Sequence, residues 1–358
     1  MNKTLSKPLS KPLSTPVSER DLNNQPMTGA PGASAHRAAP ADQPRLRRWL
    51  SDYRTEIAIA FAIVAIELAV GLVIPAALSW GNLSNVTQAA APLVIMAIGV
   101  LLVVITGGID LSVGSVFSLT GMVTALAMAN GFGPVGSSLA GLMVGVAFGS
   151  FNGFLVAWVG LAPFVTTLIS YAIAASLAFI VTNGHSMPIP DANYWLLNGG
   201  TLVPGIVNHV LFCVVLLLAI EIGLKKIVAG RWLFAVGSSA LAAGLLGIPV
   251  RGVRFSAYLA SALLASFAGL LSLAYISNAE ATAGSALMLQ AIAAVVIGGA
   301  SLAGGTGSAV GALLGALMIT VIQNGVNLIG INSFWQGTVT GAVILAAALV
   351  DRLGRSRR

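Results

Sequence analysis

Two carboxylates sit inside or at the edge of long apolar runs, where an acid is costly and therefore a candidate for chemistry. Asp110 lies in Thr106-Gly107-Gly108-Ile109-Asp110-Leu111-Ser112-Val113-Gly114-Ser115. The paired glycines break or bend a helix, and Ser112 and Ser115 can cap the next one. The Asp110 carboxylate can accept the amide hydrogens that such a break frees. It reads both as a cap that steadies an interrupted helix and as a hinge or gate beside a path through the molecule, and the two can coexist. Glu67 stands alone in an early apolar run, where packing or a lipid interface explains it as well as function does.

Neutral polar side chains inside apolar runs are the other candidates: Ser112, Asn152, Thr166, Thr167, Gln290, Asn324, Asn327 and Gln336. Amides and hydroxyls match the hydroxyl groups of a polyol, and they also hold helices together in lipid. Asp110, Ser112, Asn152, Gln290, Asn324 and Asn327 form the expected path or gate. His185 and His209 fall at the largest non-basic loop, so no proton relay is evident. There is no G-x-x-x-x-G-K-[ST] loop to cradle a nucleotide phosphate. No Ser/His/Asp set, zinc spacing or dinucleotide fingerprint stands out, so an enzyme, a metal site and a bound cofactor are not expected.

The elements that position these residues are spans. Of 358 residues, 57% are hydrophobic and 8% charged, with a mean hydropathy of +0.92. A soluble chain carries roughly a quarter charged residues. Crossing an apolar core takes about 20 helical residues. The predicted spans are 56–75, 86–106, 112–130, 136–159, 162–182, 208–224, 254–276, 286–302, 306–329 and 334–351. The segments 112–130 and 286–302 are short or glycine-interrupted and are the candidates for re-entrant pieces. The runs are continuous rather than alternating, so they are helices and not barrel strands. The fold expected is an all-α polytopic transmembrane bundle.

The net charge of +7 reads as topogenic rather than as a nucleic-acid footprint, because the 18 Lys and Arg fall in three clusters. Nine precede the first span, five lie between Lys225 and Arg254, and four follow Val350. Basic loops stay cytoplasmic, so even numbers of spans must separate the clusters. Six and then four satisfy this, with both termini inside. Residues 1–54, rich in Ser, Pro and Ala, read as a disordered basic cytoplasmic tail and not a signal peptide. Residues 55–351 form the membrane domain and 352–358 a short basic tail. The largest external loop is 183–207, and the largest internal one is 225–253. The single cysteine, Cys213, permits no intrachain disulfide and reads as a small core residue.

Gly141, Gly145, Gly149 and Gly153 recur every four residues, as do Gly307, Gly311 and Gly315. Such spacing lines one helix face with small residues and lets two backbones approach. The string Gly298-Gly299-Ala300-Ser301-Leu302-Ala303-Gly304-Gly305-Thr306-Gly307-Ser308 resembles the one around Asp110, which hints at an internal repeat.

Within the internal loop, Ser238 or Ser239 can cap a short helix running to about Leu246, which Gly247 can end. A short cytoplasmic helix between spans is what a soluble motor would grip. Here the chain resembles the permease subunits of the ribose/xylose/arabinose-type ABC importers. The resemblance covers roughly residues 86–351. It rests on Gly108–Ser115, Asn152-Gly153, Thr182-Asn183-Gly184, Ala291–Gly299 with Ser301–Gly305, Asn324-Gly325 and Val350-Asp351. It implies a pair of permease subunits, most simply a homodimer, in the bacterial inner membrane. It also implies an ATP-binding subunit docked on Gly237, Ser238, Ser239, Ala242, Ala243, Gly247 and Ile248. A periplasmic sugar-binding protein would dock on the external face and deliver a small sugar. ATP hydrolysis would belong to the separate subunit. The chain departs from the family's pattern at Ser238-Ser239-Ala240 and at Met288-Leu289-Gln290, which leaves the partner and the sugar open. The competing readings are a branched-chain amino acid permease of the same type, an ion-coupled secondary transporter and a non-transporting membrane scaffold.

Overall fold

Lipid offers no partner to backbone amides, so apolar sequence of this length satisfies them within helices. The computed structural model describes residues 53–189, 200–203, 207–332, 335–342 and 345. Residues 1–52 of the predicted N-terminal tail, the predicted C-terminal tail, half of the tenth span (334–351) and the middle of the 183–207 loop lie outside them.

Helix α1 is Arg54–Val73, α2 Trp80–Ile105, α3 Val113–Ala129, α4 Pro134–Phe154 and α5 Pro163–Ile180. A π-helical turn, Leu155–Val159, continues α4. Then come α6 Asn208–Lys226, α7 Val228–Ser238, α8 Ala240–Leu245, α9 Val250–Ile276, α10 Ala283–Ile297 and α11 Ala309–Leu328. Proline opens α4 and α5 at the first turn, where its missing N–H costs nothing. Among the described residues, seven helices are long and apolar enough to cross a membrane. Helices α3 and α10 occupy the predicted 112–130 and 286–302 spans but hold only 17 and 15 residues. At 1.5 Å per residue they are about 22–26 Å long, short of a full crossing. Helix α2 begins six residues before its predicted span, because Ser79 caps it: its Oγ accepts the Asn82 N–H at 3.2 Å.

Helix α2 lies at the centre, with residues 90–105 buried throughout. It packs against α9, α10, α11 and α6. Glycines set how closely the helices approach. A Cβ on Gly149 would stand 2.8 Å from Leu259 Cα, and one on Gly145 would stand 2.8 Å from Ala262 O, so α4 meets α9 backbone to backbone. Gly311 abuts Gly298, and Gly315 abuts the Ala294 carbonyl, so α11 meets α10 in the same way. Gly141 lies against Thr124, Gly153 against Phe255, and Gly307 against Leu101 and Ile105.

The two ends of the bundle differ. One end gathers the connections 106–112, 160–162, 227–249 and 298–308, together with Lys225, Lys226, Arg231, Arg251 and Arg254. This is the end that the distribution of basic residues leads one to expect on the cytoplasmic side. The other end carries a two-residue antiparallel pairing of Met187–Pro188 with Asn278–Ala279, which ties the loop after α5 to the turn after α9.

Candidate functional site

The run of helix that began at Trp80 stops at Ile105, and Gly107 turns left-handed with φ of 79°. Helix α3 starts at Val113. Asp110 lies in the gap, fully buried. Its Oδ1 accepts the Ser112 N–H at 2.9 Å and the Ser112 hydroxyl at 2.6 Å. Its Oδ2 accepts the Ser261 hydroxyl of α9 at 2.9 Å. Ser112 Oγ in turn accepts from Asn152 Nδ2 of α4 at 2.8 Å. Asn152 Oδ1 accepts from Ser170 Oγ of α5. Thr167 Oγ1, also on α5, lies 3.2 Å from Ile109 O and 3.0 Å from Pro163 O, either of which can take its proton. One carboxylate thus anchors a buried polar chain that joins the helix break to α9, α4 and α5.

Three of the sequence-predicted path residues, Asp110, Ser112 and Asn152, therefore stand in one network. The others do not join it. Gln290 is half-buried on α10. Asn324 and Asn327 lie near the C-terminal end of α11, where Asn327 Oδ1 accepts from Gln336 Nε2 at 2.9 Å. Thr166 is buried on α5, and its Oγ1 has no hydrogen-bond partner among the described residues. Glu67 is half-buried in an apolar crevice between α1, α2 and α11, where its Oε1 likewise lacks a partner among the described residues. No group of three or more His, Cys, Asp or Glu among the described residues could hold a metal ion.

Sequence reasoning missed Ser170, Ser261 and Tyr258. A lone serine in an apolar span has no signal of its own, and Ser261 meets Asp110 across 151 residues. Tyr258 lies one turn before Ser261 on α9, and a Cβ on Gly108 would strike its hydroxyl.

The basic loop between α6 and α9 packs against the same break. The α7–α8 corner is made by Ser239, whose Oγ accepts the Ala242 N–H at 3.2 Å, while Ser238 Oγ donates to Phe234 O. Gly247, at φ of 80°, ends the turn after α8, and Ile248 N donates back to Ala243 O at 3.0 Å. Val236 and Ala243 face inward on Val253 of α9. Leu241, Leu245 and Leu246 face out, 78%, 82% and 81% exposed. The base of this corner touches the break that holds Asp110. Gly305 N donates to Ile105 O at 2.9 Å. Gly237 packs on that same carbonyl and on Gly305 N, and Gly304 packs on Gly107 N and Gly237 O. The two related glycine strings therefore both interrupt helices, and they meet each other at the corner.

Residues 82–348 match the family model described as branched-chain amino acid transport system / permease component. The chain is 72% identical over 309 residues to the probable ABC transporter permease protein y4mJ of Sinorhizobium fredii, covering 86% of this chain and 92% of that one. It is 36% identical to the ribose import permease protein RbsC of Escherichia coli K12, over 85% and 95% of the two chains. It is 32% identical to the D-allose transport system permease protein AlsC of the same strain, over 77% and 85%. No solved structure matches the chain.

Proposed function

This chain belongs to the family of ABC-transporter permease components, and from that premise we propose that it is the membrane subunit of an ATP-driven importer of a small sugar. Two of the relatives above are named for ribose and allose, which favours a monosaccharide over a branched-chain amino acid. The bundle is the multi-pass permease of the bacterial inner membrane.

The observation that carries the mechanism is the α7–α8 corner. Three leucines project from the basic cytoplasmic face, in reach of a soluble partner, while the corner's root rests on the break that holds Asp110. A separate ATP-binding subunit grips the leucines and hydrolyses the nucleotide. Its movement reaches Ile105 through Gly237 and Gly305, and the polar chain from Asp110 to Ser170 carries it to α4, α5 and α9. A second copy of the permease completes the path, and a periplasmic binding protein delivers the sugar to the opposite end.

The test is uptake by proteoliposomes holding the permease with its ATP-binding and binding-protein partners. Labelled ribose should accumulate only with ATP, and labelled leucine should not. Leucine uptake without ribose uptake, or sugar uptake driven by an ion gradient without ATP, would overturn the proposal.

A further inference from the structure

Helices α6 and α7 are joined as one piece. Only Ile227 separates them, and its N–H donates to the Gly223 carbonyl at 3.2 Å. A Cβ on Gly230 of α7 would strike that carbonyl and stand 2.6 Å from Leu224 Cα, so the first turn of α7 rests on the last turn of α6. Backbones packed this closely transmit displacement rather than absorb it. A shift of the α7–α8 corner is therefore a shift of the end of α6.

Glu221 sits on that end, with 14% of its side chain exposed. Its Oε2 accepts the Ala309 N–H at 3.1 Å, 88 residues along the chain. Ala309 is the first residue of α11 and is fully buried. The other cap of that helix is local: Ser308 Oγ accepts the Gly311 N–H at 3.1 Å. A carboxylate at a helix start meets an amide with no partner in the helix and the positive end of the dipole, so its bond is stronger than a neutral one. The second oxygen, Oε1, lies 2.6 Å from Lys225 Nζ, whose side chain is 52% exposed and also donates to the Tyr53 hydroxyl at 3.2 Å. An exposed pair of this kind adds little. The bond to Ala309 is the one that ties two distant elements together.

What Glu221 holds is the far end of the loop whose Gly305 sits on the Ile105 carbonyl. Beyond it, Gly311 and Gly315 lie on the backbone of α10 at Gly298 and Ala294, so α11 cannot move without α10.

We propose that Glu221 is a positioning residue that carries the movement of the α7–α8 corner to α11 and, through the glycine contacts, to α10. It forms a second arm beside the one that runs through Gly237 to Ile105. The inference rests on the reading of this chain as an ATP-driven permease and adds to it how the α10–α11 pair is driven.

The test uses the permease with its ATP-binding and binding-protein partners in proteoliposomes and measures ATP hydrolysed per labelled ribose imported. Glu221→Met keeps the side-chain length and removes the acceptor, whereas Glu221→Gln keeps an acceptor oxygen. ATPase co-purification checks assembly. If Glu221→Met is not recovered, Ala309→Pro removes the same bond from the donor side, at a helix position that accepts proline. Hydrogen exchange of the Gly304–Ala312 peptide, with and without a non-hydrolysable ATP analogue, follows the start of α11 directly. In wild type the analogue should change that exchange by about fivefold. In Glu221→Met the change should vanish and the ATP cost per ribose should rise by about fivefold, while Glu221→Gln stays within about twofold of wild type. A residue that only stabilised the fold would lower the yield and leave the ATP cost and the analogue response unchanged. That outcome overturns the proposal, as does an analogue response missing from wild type. Wild type that imports no ribose strikes the sugar reading, and the analogue response with its loss in Glu221→Met still decides this one.

Discussion

Gly237 rests against the Ile105 carbonyl so closely that no side chain fits between them, and that same carbonyl accepts the Gly305 N–H at 2.9 Å. The α7–α8 corner, the end of the central helix and the loop between α10 and α11 therefore share one oxygen. Gly237→Ala should push the corner away from the break while leaving Leu241, Leu245 and Leu246 in place. ATPase co-purification should stay within twofold of wild type and sugar uptake should fall at least tenfold. Uptake at wild-type level would show that the contact transmits nothing.

Asp110→Ala strands the Ser112 amide, the Ser112 hydroxyl and the Ser261 hydroxyl in a buried site. Each orphaned donor costs about 1–3 kcal/mol. The thermal midpoint of the detergent-solubilised protein should drop by several degrees, and uptake should be lost. Asp110→Asn keeps the shape and an acceptor oxygen but adds an unwanted N–H pair, so its loss of stability should be smaller.

Leu241 and Leu245 lie one turn apart on α8 and project the same way. Changing both to Asp leaves the inward contacts of Val236, Ala243 and Val253 untouched. Recovery of the ATP-binding subunit on a tagged permease should fall at least tenfold with no change in permease yield. Equal recovery would place the partner elsewhere.

Gly149→Leu inserts a branched side chain where a single Cβ would already stand 2.8 Å from Leu259 Cα. Forced separation of α4 from α9 should cost about 1–3 kcal/mol or more. Met143→Leu, on the same helix but 61% exposed, should change nothing. Thermal unfolding of the two variants side by side makes the comparison.

How far the sequence could be read differs between these sites. The Asp110 break was visible because two glycines and two serines bracket an acid in an otherwise apolar run. The α8 start was visible as a choice between two serines, and the structure selects Ser239. The helix α7 ahead of it was not expected, since Val228–Ser238 lies close to the basic stretch and carries no capping residue at its start. The partners of Asp110 were hidden because single serines in spans read as packing, and only the fold brings Ser261 and Ser170 to the network. Helix α3 was overestimated by one residue at each end, and the predicted 286–302 span begins three residues late and runs five past Ile297, because the apolar pattern continues into the turn after α10.

Helix α2 has protein on every side from Ala90 to Ile105, yet its main neighbour α9 begins only at Val250, 145 residues after Ile105. At bacterial rates of about 5–20 residues per second, that separation lasts about 7–30 s. During that interval the nascent central helix faces the insertion machinery or bare lipid, with Asp110 lacking its Ser261 donor. A chain interrupted before α9 therefore leaves an acid and a small-residue groove without their partners. Synthesis order thus makes the late half of the polypeptide the guardian of the early half.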